Sequence, residues 1–185
     1  MRTFAGRTSA WAIQTREIVY MAIGAALYAV LGSISVPLRL PGAFNVQVRP
    51  AIVIPMFFGA VFGPWVGFFA GFVGNIIIDL ISGFGFTYWY WSLGNGLLGL
   101  ISGFAFVTAR DRELPRLGPV MIWSLIGILL GLLFSSLFDI WATGITLAAS
   151  LTQWAQAVGV NAIAWAILLP ILYVGYKQVQ ERSGR

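Results

Sequence analysis

The chain has no cysteine and no histidine, and only 9% of its 185 residues are charged. Without cysteine there is no disulfide framework, thiol nucleophile or thiolate metal site. Without histidine the commonest general base and the commonest metal ligand are missing together. Six acidic residues are too few for a two-metal centre, so neither a metal nor a cofactor is expected. No nucleophile–base pairing points to an enzyme. Asp79 and Asp139 could in principle act together, but nothing in the sequence places a reacting atom between them. The scarcity of charge decides the class. Soluble domains carry roughly 25% charged residues. A chain that is 59% hydrophobic, with a mean hydropathy of +0.87, cannot cover a water-facing surface.

What is present is a series of apolar runs. They predict an all-α integral membrane protein, a compact bundle of six transmembrane helices at about 18–36, 50–62, 65–81, 92–108, 120–138 and 155–176. Residues 1–16 read as a cytoplasmic N-terminal segment, 17–176 as one transmembrane domain and 177–185 as a cytoplasmic tail. A basic start before an apolar run also opens a signal peptide. Here the run exceeds the usual ~7–15 residues and leads into SVPLRLPG, so it reads as an uncleaved first span. The run at 50–62 is short for a span that needs about 20 residues, so tilting or shielding by the preceding loop is expected. The net charge is +5, and the basic residues gather at the two termini and in the loop carrying Arg110, Arg112 and Arg116. With six spans these three segments share one side, which the positive-inside rule makes cytoplasmic, in the plasma membrane of a prokaryote. Arg39 and Arg49 fall on the other side. They are candidates for a ligand contact or a lid, or they snorkel to outer headgroups.

Small and polar residues recur at four-residue spacing: Gly63, Gly67, Gly71, Asn75 and Asp79 in the third run, and Gly127, Gly131, Ser135 and Asp139 in the fifth. Such spacing draws a stripe along one helix face, and its glycines let a neighbouring backbone approach closely. The stripes turn polar at one end, where a carboxylate in a membrane helix is a functional hypothesis. Asn95, Gly99 and Gly103 form a third stripe, and Asn161 and Trp165 share a face of the last run. In the six-span topology Asn45, Gln47, Arg49, Asp79, Tyr88, Trp89, Trp91, Asn95, Asp139, Trp141, Gln153 and Trp154 fall near the outer face, with Asn75, Asn161 and Trp165 one to two turns deeper. Convergence at one depth suggests a single cavity open to the outside, with aromatic walls and a few amides and carboxylates that fix orientation. Tryptophan and tyrosine also collect at membrane surfaces without binding anything, but that belt does not account for Asn75, Asn95 and Asn161.

Three segments carry a resemblance to a known family: REIVYMAIGAALYAVL, GAVFGPWVGFFAGFVGNIIIDLISG and WSLGNGLLGLISGF. Together they resemble the substrate-binding (S) subunits of energy-coupling factor (ECF) vitamin transporters, and the second is most similar to the riboflavin-transporter-like branch. The resemblance implies a subunit that captures a vitamin from outside, docks on a transmembrane coupling subunit and is toppled by two cytoplasmic ATPases. It further implies that Ala22, Ala25, Ala26 and Ala29 form the docking face and that the loop from Pro37 to Arg49 is a lid. The chain has no Gly-rich phosphate loop ending in Gly-Lys-Ser or Gly-Lys-Thr, so ATP-driven work falls to other chains. Flavin and thiamine are both flat heteroaromatics that stack on Trp and Tyr. Two aspartates favour a cation and so thiamine or its pyrimidine precursor, whereas the family branch favours riboflavin. The competing readings are a structural or assembly subunit whose glycines only pack helices, and a self-sufficient carrier. The carrier reading has few embedded ionisable groups to couple an ion gradient.

Overall fold

The computed structural model describes residues 10–35, 48–109 and 114–183. Among these residues the chain forms helices and no strand: α1 (Thr15–Ser35), a 3-10 turn (Pro50–Ile52) running into α2 (Val53–Phe62), α3 (Pro64–Ile81), α4 (Trp89–Ser102), the short α5 (Phe104–Thr108), α6 (Leu117–Thr143) and α7 (Leu147–Arg182). Five of these stretches are long and apolar enough to cross a membrane, and Pro50–Phe62 is a shorter apolar helix.

The short α2 is the centre of the bundle. It touches every other helix and buries Val53, Ile54, Met56, Phe58, Ala60 and Val61. A helix enclosed by protein on all sides does not need the ~20 residues required of one that spans lipid alone. Its shielding therefore comes from the neighbouring helices. Pro50 starts it at a position where a missing N–H costs nothing. Gly63, with φ 117°, ends it and turns the chain into Pro64 at the start of α3.

Around α2 the helices pack in the order α1, α3, α4, α6, α7. α4 is gripped from both sides by glycine stripes. A Cβ on Gly67 would lie 2.3 Å from the Gly99 carbonyl oxygen, and one on Gly99 would lie 2.1 Å from the Gly67 carbonyl oxygen. On the other flank, Cβ atoms on Gly127 and Gly131 would come within 2.6 Å of the Leu98 and Gly94 carbonyl oxygens. Both stripes seen in the sequence thus become backbone-to-backbone contacts with the same helix.

Several boundaries differ from the sequence expectation. Trp89, Tyr90 and Trp91 belong to the first turn of α4 rather than to a loop. α6 continues through Asp139 and Trp141 to Thr143, where Gly144 in the left-handed conformation ends it. α7 begins at Leu147, with the Thr146 hydroxyl accepting from the Ala149 N–H at 3.2 Å. The gap expected between the spans at about 120–138 and 155–176 contracts to 144–146. The reason is that a helix does not stop where hydrocarbon stops. Thirty-six residues of α7 rise through about 54 Å, far more than the ~30 Å apolar core.

The α4 clamp gives a direct test. Gly99→Ala should cost about 1–3 kcal/mol by forcing α3 and α4 apart, read as a lower unfolding temperature in detergent. Gly159→Ala, where a Cβ meets nothing within 4 Å, should be neutral or stabilising.

Candidate functional site

The polar end of the α3 stripe sits against the first turns of α4. Asn75 and Asp79 are one turn apart and both buried. The Asn75 Nδ2 donates to Asp79 Oδ2 and to Ser92 Oγ, each at 2.9 Å. Asn95 Nδ2 donates to the Trp91 carbonyl at 2.8 Å and more weakly to Asn75 Oδ1 at 3.4 Å. Its own Oδ1 accepts from the Tyr28 hydroxyl of α1 at 3.0 Å. Arg49, just before the 3-10 turn, donates through Nη1 to Asn75 Oδ1, and its Nη2 lies 3.7 Å from Asp79 Oδ1. Its side chain is 15% exposed, so it turns inward rather than extending towards headgroups. α1, α3, α4 and the approach to α2 are thereby tied into one network. Side chains meeting this way in an apolar surround have no water to fall back on, so each donor must find an acceptor in the protein.

A second cluster forms where α6 meets α4 and α7. Asp139 accepts from the Tyr90 hydroxyl, from Trp91 Nε1 at 3.1 Å and from Gln153 Nε2 at 3.0 Å. Three neutral donors on one carboxylate fix its position against α4 and α7. Tyr90 also stacks on Phe138, with ring centroids 4.8 Å apart, which fixes the phenol above Asp139.

Between the two clusters lies a cavity of about 330 Å³, lined by Arg49, Asn75, Asp79 and Asn95 on one side and by Asp139, Gln153 and Asn161 on the other. Phe84, Tyr88 and Trp91 supply aromatic surface, and Ile52, Leu132, Thr143, Ile145 and Ala157 complete the wall. The size lies at the lower end of the ~300–1,000 Å³ of small-molecule sites, and the mix of aromatic wall with a few polar groups is the usual one. Asn161 differs from the other amides. Its Nδ2 donates to the Ala157 carbonyl one turn back at 2.8 Å, which fixes the orientation of the amide. Its buried Oδ1 accepts from no group among the described residues. Such an orphaned acceptor is costly, and it lies beneath the cavity surface rather than on it.

Of the residues singled out in the sequence, Arg49, Asn75, Asp79, Tyr88, Trp91, Asn95, Asp139, Gln153 and Asn161 line this cavity. Asn45, Gln47 and the loop from Pro37 up to Gln47 lie outside the described residues. Trp89, Trp141 and Trp165 do not line the cavity. Trp89 is 46% exposed and Trp141 is 86% exposed, and both pack edge-on against Phe138. Each stands two residues from a cavity residue, about 200° around its helix, and so faces the opposite way. Trp165 lies one turn beyond Asn161, where its indole donates to the Met121 carbonyl at 3.2 Å and packs against the apolar core. Of the four alanines, Ala25 and Ala29 are buried within the bundle, and Ala22 and Ala26 are exposed. Sequence reasoning missed Phe84 and the structural donors Tyr28 and Ser92. Phe84 had a signal: it sits between Gly83 and Gly85, both at positive φ, in a turn whose N–H groups return to the Asp79 carbonyl.

Comparison with known proteins bears on this geometry. Over 82 residues the chain is 40% identical to a UPF0397 protein of Streptococcus gordonii, covering 44% of this chain and 42% of that protein. A UPF0397 protein of Streptococcus sanguinis is 39% identical over 82 residues, covering 44% of this chain and 43% of the relative. The chain thus spans less than half the length of these curated relatives. The family model described as ECF-type riboflavin transporter, S component, matches residues 12–178, nearly the whole helical bundle. The chain belongs to that family, the S components of ECF-type riboflavin transporters.

Proposed function

We propose that this chain is the substrate-capture subunit of an ATP-driven ECF importer and that it holds a small, neutral, flat heteroaromatic vitamin, riboflavin first among them, in the cavity between α3, α4, α6 and α7. In this reading the bundle crosses a prokaryotic plasma membrane six times, α2 counting as the short span. Both termini are cytoplasmic, and the cavity opens outward. The observation that carries the proposal is the cavity itself, in which Phe84, Tyr88 and Trp91 give aromatic surface and Asn75, Asn95, Gln153 and Asn161 give amide groups. An isoalloxazine ring offers a flat face for Tyr88 and Trp91 and polar edges for the amides.

The cationic alternative, thiamine, drew its support from two aspartates facing an open pocket. Asp79 has Arg49 beside it, which offsets its charge, whereas the three donors of Asp139 are neutral groups. The ion pair at Asp79 and the riboflavin description of the family favour the neutral ligand.

The coupling subunit and two ATPases implied by the family need a surface on this chain. α1 supplies one in the outward face of Ala22 and Ala26, set among exposed Ile18, Ile23, Leu27 and Val30. Two small residues one turn apart within a row of large ones make a notch into which another helix can pack.

Purified protein should show saturable quenching of tryptophan fluorescence by riboflavin, and Tyr88→Ala should weaken that binding about tenfold, the worth of one lost aromatic contact. No saturable quenching by riboflavin or any similar vitamin would remove the capture reading. Ala26→Trp should abolish co-purification with the coupling subunit, with riboflavin binding by the isolated chain as the control readout. Undiminished co-purification of the Trp variant would place the docking face elsewhere.

A further inference from the structure

The amides that line the cavity differ in what happens to their oxygens. Asn75 Oδ1 accepts from Arg49, and Asn95 Oδ1 accepts from the Tyr28 hydroxyl at 3.0 Å. Asn161 Oδ1 lies beneath the cavity surface. Gln153 is half-buried and gives its nitrogen to Asp139 Oδ2 at 3.0 Å, and no donor among the described residues reaches its Oε1.

The orientation of the Gln153 amide is dictated by its neighbours. Asp139 Oδ2 also accepts from Trp91 Nε1 at 3.1 Å, and an indole N–H can only donate. An amide turned the other way would set its oxygen against an oxygen that is already an acceptor. Asp139 is itself buried and is held on its other oxygen by the Tyr90 hydroxyl.

We propose that Gln153 Oε1 is the acceptor that reads a donor edge of the ligand, the imide N–H of an isoalloxazine ring, and that Asp139 is the positioning residue that keeps this oxygen available to the cavity. The inference rests on the reading of the cavity as a vitamin site and names the edge of the ligand that the wall formed by α6 and α7 recognises. Indole and amide meet on one carboxylate oxygen, so a ring laid on Trp91 brings its rim to Gln153. A site built around an acceptor rejects an analogue that lacks the donor, because the acceptor is then left unpaired in a dry cavity.

The test compares dissociation constants of the purified protein for riboflavin and for riboflavin methylated at the imide nitrogen, by tryptophan quenching. Wild type should bind riboflavin about tenfold more tightly, the worth of one hydrogen bond. Gln153→Leu, which keeps the bulk and removes the acceptor, should bring the two constants level. In Asp139→Asn the new amide can donate to Gln153 Oε1 and turn the Gln153 amide over, so the two constants should also become level with Gln153 intact. Ratios within one variant cancel any loss of folded protein, and if one variant does not fold the other carries the test. Equal binding of both flavins by wild type overturns the assignment and leaves vitamin binding in place. A preference that persists in folded Gln153→Leu reports the bulk of the methyl group and overturns the acceptor, and one that persists in folded Asp139→Asn overturns the positioning role. A wild type that binds neither flavin removes the vitamin reading itself.

Discussion

Gly67 and Gly99 meet with no room between them for a methyl group, and Gly131 meets Gly94 in the same way on the far side of α4. In a bilayer there is no water to drive helices together, so association depends on van der Waals contact and on polar groups that pair across the interface. Close backbone approach supplies the first and sets up the second. Because α3 and α4 are pressed together through Gly67, Gly71 and Gly99, the Asn75 amide one turn further along reaches Ser92, and the Asn95 amide reaches Asn75. Because α6 is pressed on α4 through Gly127 and Gly131, Asp139 two turns on meets the Tyr90 hydroxyl and the Trp91 indole. The cavity begins where the glycines end.

That relation explains why much of the site was legible in the sequence. A four-residue repeat of glycine that runs into an amide and a carboxylate states both the packing face and the point where packing gives way to polar chemistry. Asn75, Asp79, Asn95 and Asp139 were visible on that basis. Trp89 and Trp141 were misplaced because membership of a segment says nothing about direction around the helix. Two residues separate each of them from a cavity residue, and that turns a side chain to the other side. Trp165 shares a face with Asn161, but the cavity ends within one turn, and its indole is taken up by the Met121 carbonyl. The longer α6 and α7 were hidden because hydropathy marks where lipid ends, whereas the hydrogen-bond ladder continues until Gly144 or Thr146 interrupts it.

The two sides of the cavity differ in what they offer. On the α3–α4 side the amides, Tyr28, Arg49 and Asp79 satisfy one another, which makes a rigid wall and leaves little free bonding capacity. On the α7 side the buried Asn161 carbonyl oxygen accepts from no group among the described residues. α1 takes part in both the site and the surface of the bundle. Tyr28 points inward to Asn95, and Ala22 and Ala26 face outward on the same helix.

α7 rises about 54 Å and ends in a polar stretch that carries Lys177, Glu181 and Arg182. Its length exceeds the hydrocarbon thickness by roughly 24 Å, and Pro170 lies inside it, where the missing N–H removes one rung of the ladder. The last helix thus carries its own joint, so the polar end can take a direction that the glycine-packed part of the bundle does not impose.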